Sequence, residues 1–330
     1  MPAQIDNRFI KLSLKKSFTR YLSYAFYEGR PLTTKGRWIN PLVFSFYRLQ
    51  AMLPFAKPVN KPIFILGTGR SGTTILGVTL GMHNAVGFLN EPKALWSYLY
   101  DSEDIIGSYQ DKPGRYRLTA ADASSSVIRK AHRIFGHYLR FGFASRVVDK
   151  YPELIFRLDF VKAIFPDAIF LFLYRDGRDT CHSIRHWSER LSTQEQGEMH
   201  DWWGRDDRKW NLLCEQIVSA DDALGSNINE ISSISNHEHR AAVEWIVTMK
   251  EGMKLMASHS DCVLAVKYED FVRSPEFRRD VLKFCDLSPD GKFDQFCETV
   301  LKAPTSKPDF DLPPVIRDEF QRVMKKLGYE

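Results

Sequence analysis

From residue 62 onward, short runs of unbroken apolar residues alternate with segments whose apolar positions recur every three or four residues. "PIFIL" (62–66), "AIFLFLY" (168–174) and "CVLAVKY" (262–268) are of the first kind, and "GFASRVVD" closes on another. Runs this short, with no polar face, are expected of strands covered on both sides of a parallel sheet. Between them, "TTILGVTLGMH" offers Ile75, Leu76, Val78, Thr79 and Met82 to one helix face. "YPELIFRLDFVKAIFPD" places Leu154, Ile155, Leu158, Val161 and Phe165 at helical spacing, with Pro152 tolerated in the first turn and Pro166 past the end. "SPEFRRDVLKFCDL" and "PPVIRDEFQRVMKKLGY" predict amphipathic helices, the first capped by Ser274 and the second closed by Gly328. Repeated strand–helix units predict an α/β fold with three α/β/α layers around a central parallel sheet.

Residues 1–60 break this pattern. They are basic and aromatic, as in "FTRYLSYAFY" and "RWINPLVFSFYRLQAMLPF". Two readings fit: a helical extension packed on the core, or a peripheral membrane contact, a surface that touches lipid or an apolar acceptor. The chain thus divides into an extension (1–60) and a main domain (61–330). Composition adds little to this: 44% hydrophobic and 26% charged residues are ordinary for a soluble protein, and a net charge of +5 suits an anionic ligand without resembling a nucleic-acid-binding tail. The five cysteines form no CxxC pair and no His/Cys metal spacing, so no metal site or disulfide framework is expected, and a cytoplasmic setting is. Neither a signal peptide nor a membrane span is expected.

The chemistry is concentrated in two stretches. "ILGTGRSGTT" (65–74) passes from a strand through a glycine turn into a helix start, which gathers backbone N–H groups and the positive end of a helix dipole at one place. Gly67 and Gly72 keep the outer spacing of GxxxxGK[ST], but Thr73 stands where the lysine of a nucleotide triphosphatase belongs. That lysine reaches the β- and γ-phosphates, so its absence weakens a kinase or ATPase reading. "FLFLYRDGRDTCHSIRHW" carries a second buried strand into Arg175, with Ser183 on the following helix. Ligands in such sheets sit outside the carboxyl ends of the strands, so both stretches would face one crevice. In the alternative, Arg175 and Arg178 merely pair with Asp176 and Asp179.

Here the chain resembles the sulfotransferases that use 3′-phosphoadenosine 5′-phosphosulfate (PAPS), and is most similar to their tyrosylprotein and related bacterial branch. "GRSGTT" is similar to that family's loop for the 5′-phosphosulfate, and "RDGRDTCHS" to its segment for the 3′-phosphate. The resemblance implies a P-loop-type fold and a metal-independent in-line transfer of a sulfuryl group to a hydroxyl or amine acceptor, leaving 3′-phosphoadenosine 5′-phosphate (PAP). It implies Glu91, in "LNEPKALW", as general base, with Arg70 and Lys150 stabilising charge on the moving group. It further implies donor contacts from Gly69, Arg70, Ser71, Gly72, Thr73 and Thr74 in the loop. Arg175, Ser183, Tyr268 in "KYEDFVRSPE" and Lys307 in "TSKPDFDLPP" complete that set, Lys307 as a late lid residue.

Alternatives stand beside these roles. Glu91 also suits an N-terminal helix acid, Lys150 a partner of Asp149 or Glu153, and His83, His132 and His137 are rival bases. Where the related branch has a further arginine this chain has Trp187, with Arg185 nearby as a substitute. Residues 188–240 are expected to form a helical insertion on the acceptor side, where Trp202, Trp203, Arg205 and Trp210 either line a pocket or pack as a surface helix. The acceptor itself is left open among a glycan, a lipid, a small metabolite and a peptide, as is the oligomeric state. A P-loop kinase or ATPase and a catalytically silent nucleotide-binding module remain the competing functions.

Overall fold

The computed structural model describes residues 2–195, 197–303, 307 and 309–329. Five parallel strands form the central sheet: β1 (Ile63–Gly67), β2 (Val86–Asn90), β3 (Arg146–Lys150), β4 (Ile169–Tyr174) and, last in the chain, β8 (Val263–Lys267). Their spatial order is β2-β3-β1-β4-β8. β1 is therefore central, with β3 and β4 on either side, and its carboxyl end lies where the connections diverge to opposite halves of the sheet.

The unbroken apolar runs are explained by cores on both faces. Ile63 and Ile65 of β1, with Ile169, Leu171 and Leu173 of β4, enter one core. The intervening Phe64, Leu66, Phe170 and Phe172 enter the other. Both faces are buried, so alternation along the strand separates two apolar sets and not an apolar set from a polar one. The helix Thr73–Met82 packs in the first core and His237–Ser258 in the second.

Three differences from the sequence reading have physical causes. β2 has no clear apolar signature, because Gly87 is its second residue, where an added Cβ would press on the Tyr138 phenol, and Asn90 closes it. The helix expected over 152–165 divides into a 3₁₀ segment, Pro152–Arg157, and the α-helix Leu158–Ile164. Arg157 at the junction is fully buried, and its guanidinium binds Glu103 and the carbonyls of Arg115 and Tyr116, which tie the chain down at the break. The insertion is not wholly helical: β5 (Thr193–Glu195), β6 (Glu198–Asp201) and β7 (Gly204–Arg205) form a small antiparallel sheet before the helix Arg208–Gln216.

Residues 2–60 lie against this body. The helix Leu14–Phe26 packs beside β2, and Asn40–Met52 against the helix Ser125–Phe141. Glu28, in the connection between the two arm helices, accepts the backbone N–H of Asn90 at 2.8 Å and pairs with Arg20 at 2.9 Å, which pins the arm to the end of β2.

Candidate active site

The loop between β1 and the helix Thr73–Met82 is shaped for an anion. Gly72 occupies the N-cap at φ 108° and the helix start has no side-chain cap, so its first-turn N–H groups face the crevice without a side-chain acceptor. The hydroxyls of Thr68 and Ser71 are buried and have no hydrogen-bond partner in the protein. Buried hydroxyls in that state are costly unless a ligand or water completes them. A Cβ at Gly72 would run into the Tyr268 ring, and one at Gly69 into the Trp202 ring, so both glycines are required by close approach.

Both stretches singled out in the sequence meet here. Arg70 sits on left-handed backbone at φ 69°, and its Nε donates to Ser183 Oγ at 3.2 Å. Arg175, at the end of β4, lies 4.8 Å from the centre of the Tyr268 ring and donates to Asp179 at 2.7 Å. Its Nε has no partner. Arg178 binds Asp176 at 2.7 Å, so the pairing expected of a simple charge run is present too. Asp179 also accepts the backbone N–H of Lys307 at 2.8 Å, while the Lys307 side chain is exposed. Its neighbours Thr305, Ser306 and Pro308 lie outside the described residues.

Glu91 follows β2 on left-handed backbone at φ 49°, and its N–H donates to the Lys150 carbonyl at 2.7 Å. This places the ends of β2 and β3 side by side. The Lys150 ammonium donates to Glu91 Oε1, and Lys93 lies 3.8 Å from Oε2. Enclosure pushes the Glu91 carboxyl up, but the ammonium groups of Lys150 and Lys93 outweigh this and hold it below the usual carboxylate range. Neither alternative for Lys150 holds: Asp149 accepts from the Trp96 indole at 2.9 Å, and Glu153 is bound to Lys93 at 2.9 Å. The three histidines serve structure, with His83, His132 and His137 bound to the carbonyls of Ser288, Ile164 and Leu53.

With that geometry in view, comparison with known proteins is informative. The model described as Sulfotransferase family matches residues 62–228, half of the chain. The chain belongs to the sulfotransferase family. The match runs past residue 187, into the stretch that the sequence reading took as an insertion. Among relatives of this sulfotransferase family member, protein-tyrosine sulfotransferase A of Caenorhabditis elegans is 28% identical over 49% of this chain and 42% of its own length. The protein-tyrosine sulfotransferase of Drosophila melanogaster is 33% identical over 37% of this chain and 24% of its own. The chain therefore spans less than half the length of these curated relatives. The solved sulfotransferase domain of the Synechococcus olefin synthase superposes with a TM-score of 0.49 at 18% identity, covering 84% of this chain and 98% of that one.

In this family member a cavity of about 430 Å³ opens beside Glu91, Arg70 and Thr74. Its far walls come from segments distant in sequence: Glu28–Thr34 of the arm, Ile106–Tyr109, and His200–Lys209 of the insertion. Trp202 and Arg205 line it, as one sequence reading expected, whereas Trp203 and Trp210 are buried in the core. Trp187 also lines it and packs edge-on to Trp202 at 5.4 Å. Arg185 binds Glu238 at 2.8 Å, so it is engaged away from the loop.

A chain of alternating charges, invisible in the sequence, links the base candidate to the insertion. Glu91 meets Lys93, Lys93 meets Glu153, Lys209 lies 3.6 Å from Glu153 and 2.6 Å from Glu244, and Glu244 accepts the Trp202 indole N–H at 2.8 Å. Burial pushes the Glu153 carboxyl up, yet Lys93 and Lys209 bring it down to about 2. Lys93 is two residues from Glu91 and had a local signal. Glu153, Lys209 and Glu244 had none, because each is paired only through the fold.

Proposed function

We propose that this chain transfers a sulfuryl group from PAPS to a hydroxyl-bearing acceptor, with Glu91 as general base. The observation that carries the reading is the Arg70–Ser183 hydrogen bond, which joins the phosphate loop to the RDGR segment across one crevice. The residues present fit the donor. Gly69, Ser71, Gly72, Thr73 and Thr74 would hold the 5′-phosphate, for which the unpartnered Ser71 hydroxyl and the uncapped helix start are suited. Arg175 and Ser183 would hold the 3′-phosphate, the Tyr268 ring would flank it, and the Lys307 backbone is tied to the same Asp179 that steadies Arg175. When bound, PAPS supplies a sulfuryl group on a phosphate leaving group, so an S–O bond to the acceptor forms as the bridging S–O bond breaks.

This chain's residues then have distinct tasks. Glu91 is ionised at neutral pH because its carboxyl is held low, and it takes the acceptor's hydroxyl proton. Lys150 is paired to Glu91 here; a shift of its ammonium toward the departing bridging oxygen stabilises the charge developing there and frees Glu91 to become a stronger base. Arg70, one residue from the unpartnered Ser71, stabilises charge on the transferring group. The walls of the cavity carry Arg30, Lys93, Arg205 and Lys209 beside Tyr109, Trp187 and Trp202, which suits a polar acceptor held against aromatic faces. We place this chemistry in the cytoplasm, a reducing compartment in which the five free, buried cysteines would stay thiols.

The test is calorimetry with PAP followed by transfer of radiolabelled sulfate from PAPS to extract components. Binding of PAP, weakened by Arg175→Ala, with label transfer abolished by Glu91→Gln, is the expected result. Magnesium-dependent turnover of ATP with no affinity for PAP would replace this reading with a kinase or ATPase. Tight PAP binding with no transfer to any component would leave a binding module.

A further inference from the structure

The arm helix Leu14–Phe26 packs the wrong way round for a soluble protein. Its buried residues are Lys16, Ser17, Thr19, Arg20 and Ser23, a polar face. Each has a partner inside: Lys16 donates to the carbonyls of Asn84 and Val86, Ser17 to that of Ser13, Thr19 to that of Gly142, Arg20 to Glu28 through its terminal nitrogens, and Ser23 bonds the Tyr138 phenol. The apolar stripe, Leu14, Phe18, Tyr21 and Phe26, is left facing outward, with Leu14 76% exposed. This is not an isolated fault in packing. Phe26 meets Phe46 of the next arm helix at 5.5 Å, and Phe46 approaches Phe141 at 6.5 Å. Leu42, Leu49 and Met52 continue the surface along that second helix, Phe55 and Phe143 extend it, and Trp38 stands 79% exposed at its start.

The charge around this face selects its partner. Residues 1–60 hold ten lysines and arginines against two acids, so they carry more than the whole positive excess of the chain. Both acids are engaged, Asp6 as a helix cap bound to Arg8 and Glu28 in the interior. Lys11, Lys15, Lys35, Arg37, Arg48 and Lys57 are exposed. The adjoining helix Ser125–Phe141 has four cations and no acid. Two copies of so cationic a face repel, whereas an apolar aromatic surface rimmed by lysine and arginine matches the interface of a bilayer rich in anionic lipid.

We propose that this face docks the protein on an anionic membrane surface. Among the described residues no helix is long and apolar enough to cross a membrane, so the contact is peripheral. The loop joining the two docking helices supplies Pro31, Leu32, Thr33 and Thr34 to the cavity beside Glu91, and a second groove continues from Leu32 to Arg37, next to Trp38. Docking thus brings the cavity rim to the lipid surface. The docking contact stands apart from the transfer reaction, while delivery of a membrane-borne hydroxyl to Glu91 rests on the sulfotransferase reading.

Flotation of the full chain with phosphatidylcholine vesicles, with and without about 30 mol% phosphatidylglycerol, tests the contact. Binding is expected only to the anionic vesicles, and it should fall several-fold as salt rises from about 0.1 to about 0.5 M. The variant Phe18→Ser/Leu49→Ser/Phe55→Ser should bind at least about tenfold more weakly, and Lys15→Glu/Arg48→Glu likewise, with melting temperature and PAP affinity unchanged. Absence of vesicle binding, equal binding by the serine variant, or a stable dimer that the serine substitutions dissociate would each overturn the proposal. PAP affinity is read separately: a chain that binds vesicles but not PAP keeps the docking surface and loses the sulfotransferase reading, and the converse result does the reverse.

Discussion

On one wall of the crevice, the loop after β1 presents backbone N–H groups, two glycines in close contact with aromatic rings, and buried hydroxyls with no partner. On the other, Glu91, Lys93, Glu153, Lys209 and Glu244 form an ion-pair chain in which nearly every charge is already answered. The first wall is incomplete without a ligand and the second is complete without one. A site of open backbone donors recognises a fixed group, such as a phosphate, by geometry. A saturated charge network instead sets the protonation and position of a few side chains, which is what handling a variable acceptor requires.

Mutations should separate the two walls. Glu91→Gln removes the base but keeps the size of the side chain, and should lower kcat by about 10² to 10⁴ while PAP affinity by calorimetry stays within about threefold; an unchanged kcat would move the base elsewhere. Lys150→Ala should cost about 10² to 10³ in kcat. It should also alter the pH profile of kcat/KM. Because Lys150 helps hold the Glu91 carboxyl low, the acid limb in the wild type lies below the ordinary carboxylate range, and the variant's limb moves to higher pH. Lys93→Ala should move it the same way by less. On the donor wall, Gly72→Ala forces a Cβ onto the Tyr268 ring at a left-handed position, and should weaken PAP binding by about tenfold or more, with acceptor KM little changed. Trp202→Ala, the smallest effect, should raise acceptor KM by about three- to tenfold. A larger change in PAP affinity than in acceptor KM would show that Trp202 serves the donor wall through Gly69.

The same contrast explains what the sequence disclosed. The wall proposed for the donor was legible because its parts are contiguous: strand, glycine turn and helix start follow one another within ten residues, and Arg175 and Ser183 share one segment. The apolar runs of β1, β4 and β8 disclosed the parallel sheet for the same local reason. The wall proposed for the acceptor was not legible. Lys209 meets Glu153 and Glu244 only because the insertion folds back over the 3₁₀ segment Pro152–Arg157, and a lysine or glutamate of that kind has the sequence signature of any solvated surface residue. The arm was legible in composition but not in orientation. The stripe Leu14, Phe18, Tyr21 reads as a face turned to the core, and only the interior partners of Lys16, Arg20 and Ser23 reveal that it is turned away.

Arg70 and Glu91, two of the side chains assigned to the proposed chemistry, both stand on left-handed backbone, at φ 69° and 49°. Such positions favour glycine, and holding a larger residue there costs on the order of 1 kcal/mol or more. At 91 the ion pair with the buried Lys150 outweighs that strain, since glycine there would leave the ammonium unanswered in the interior. At 70 no such pair opposes the exchange, and folding and turnover pull in opposite directions. A library sorted only for heat resistance would drift toward glycine at 70 while keeping Glu91, so selection for thermostability in this scaffold has to carry an activity screen at every round.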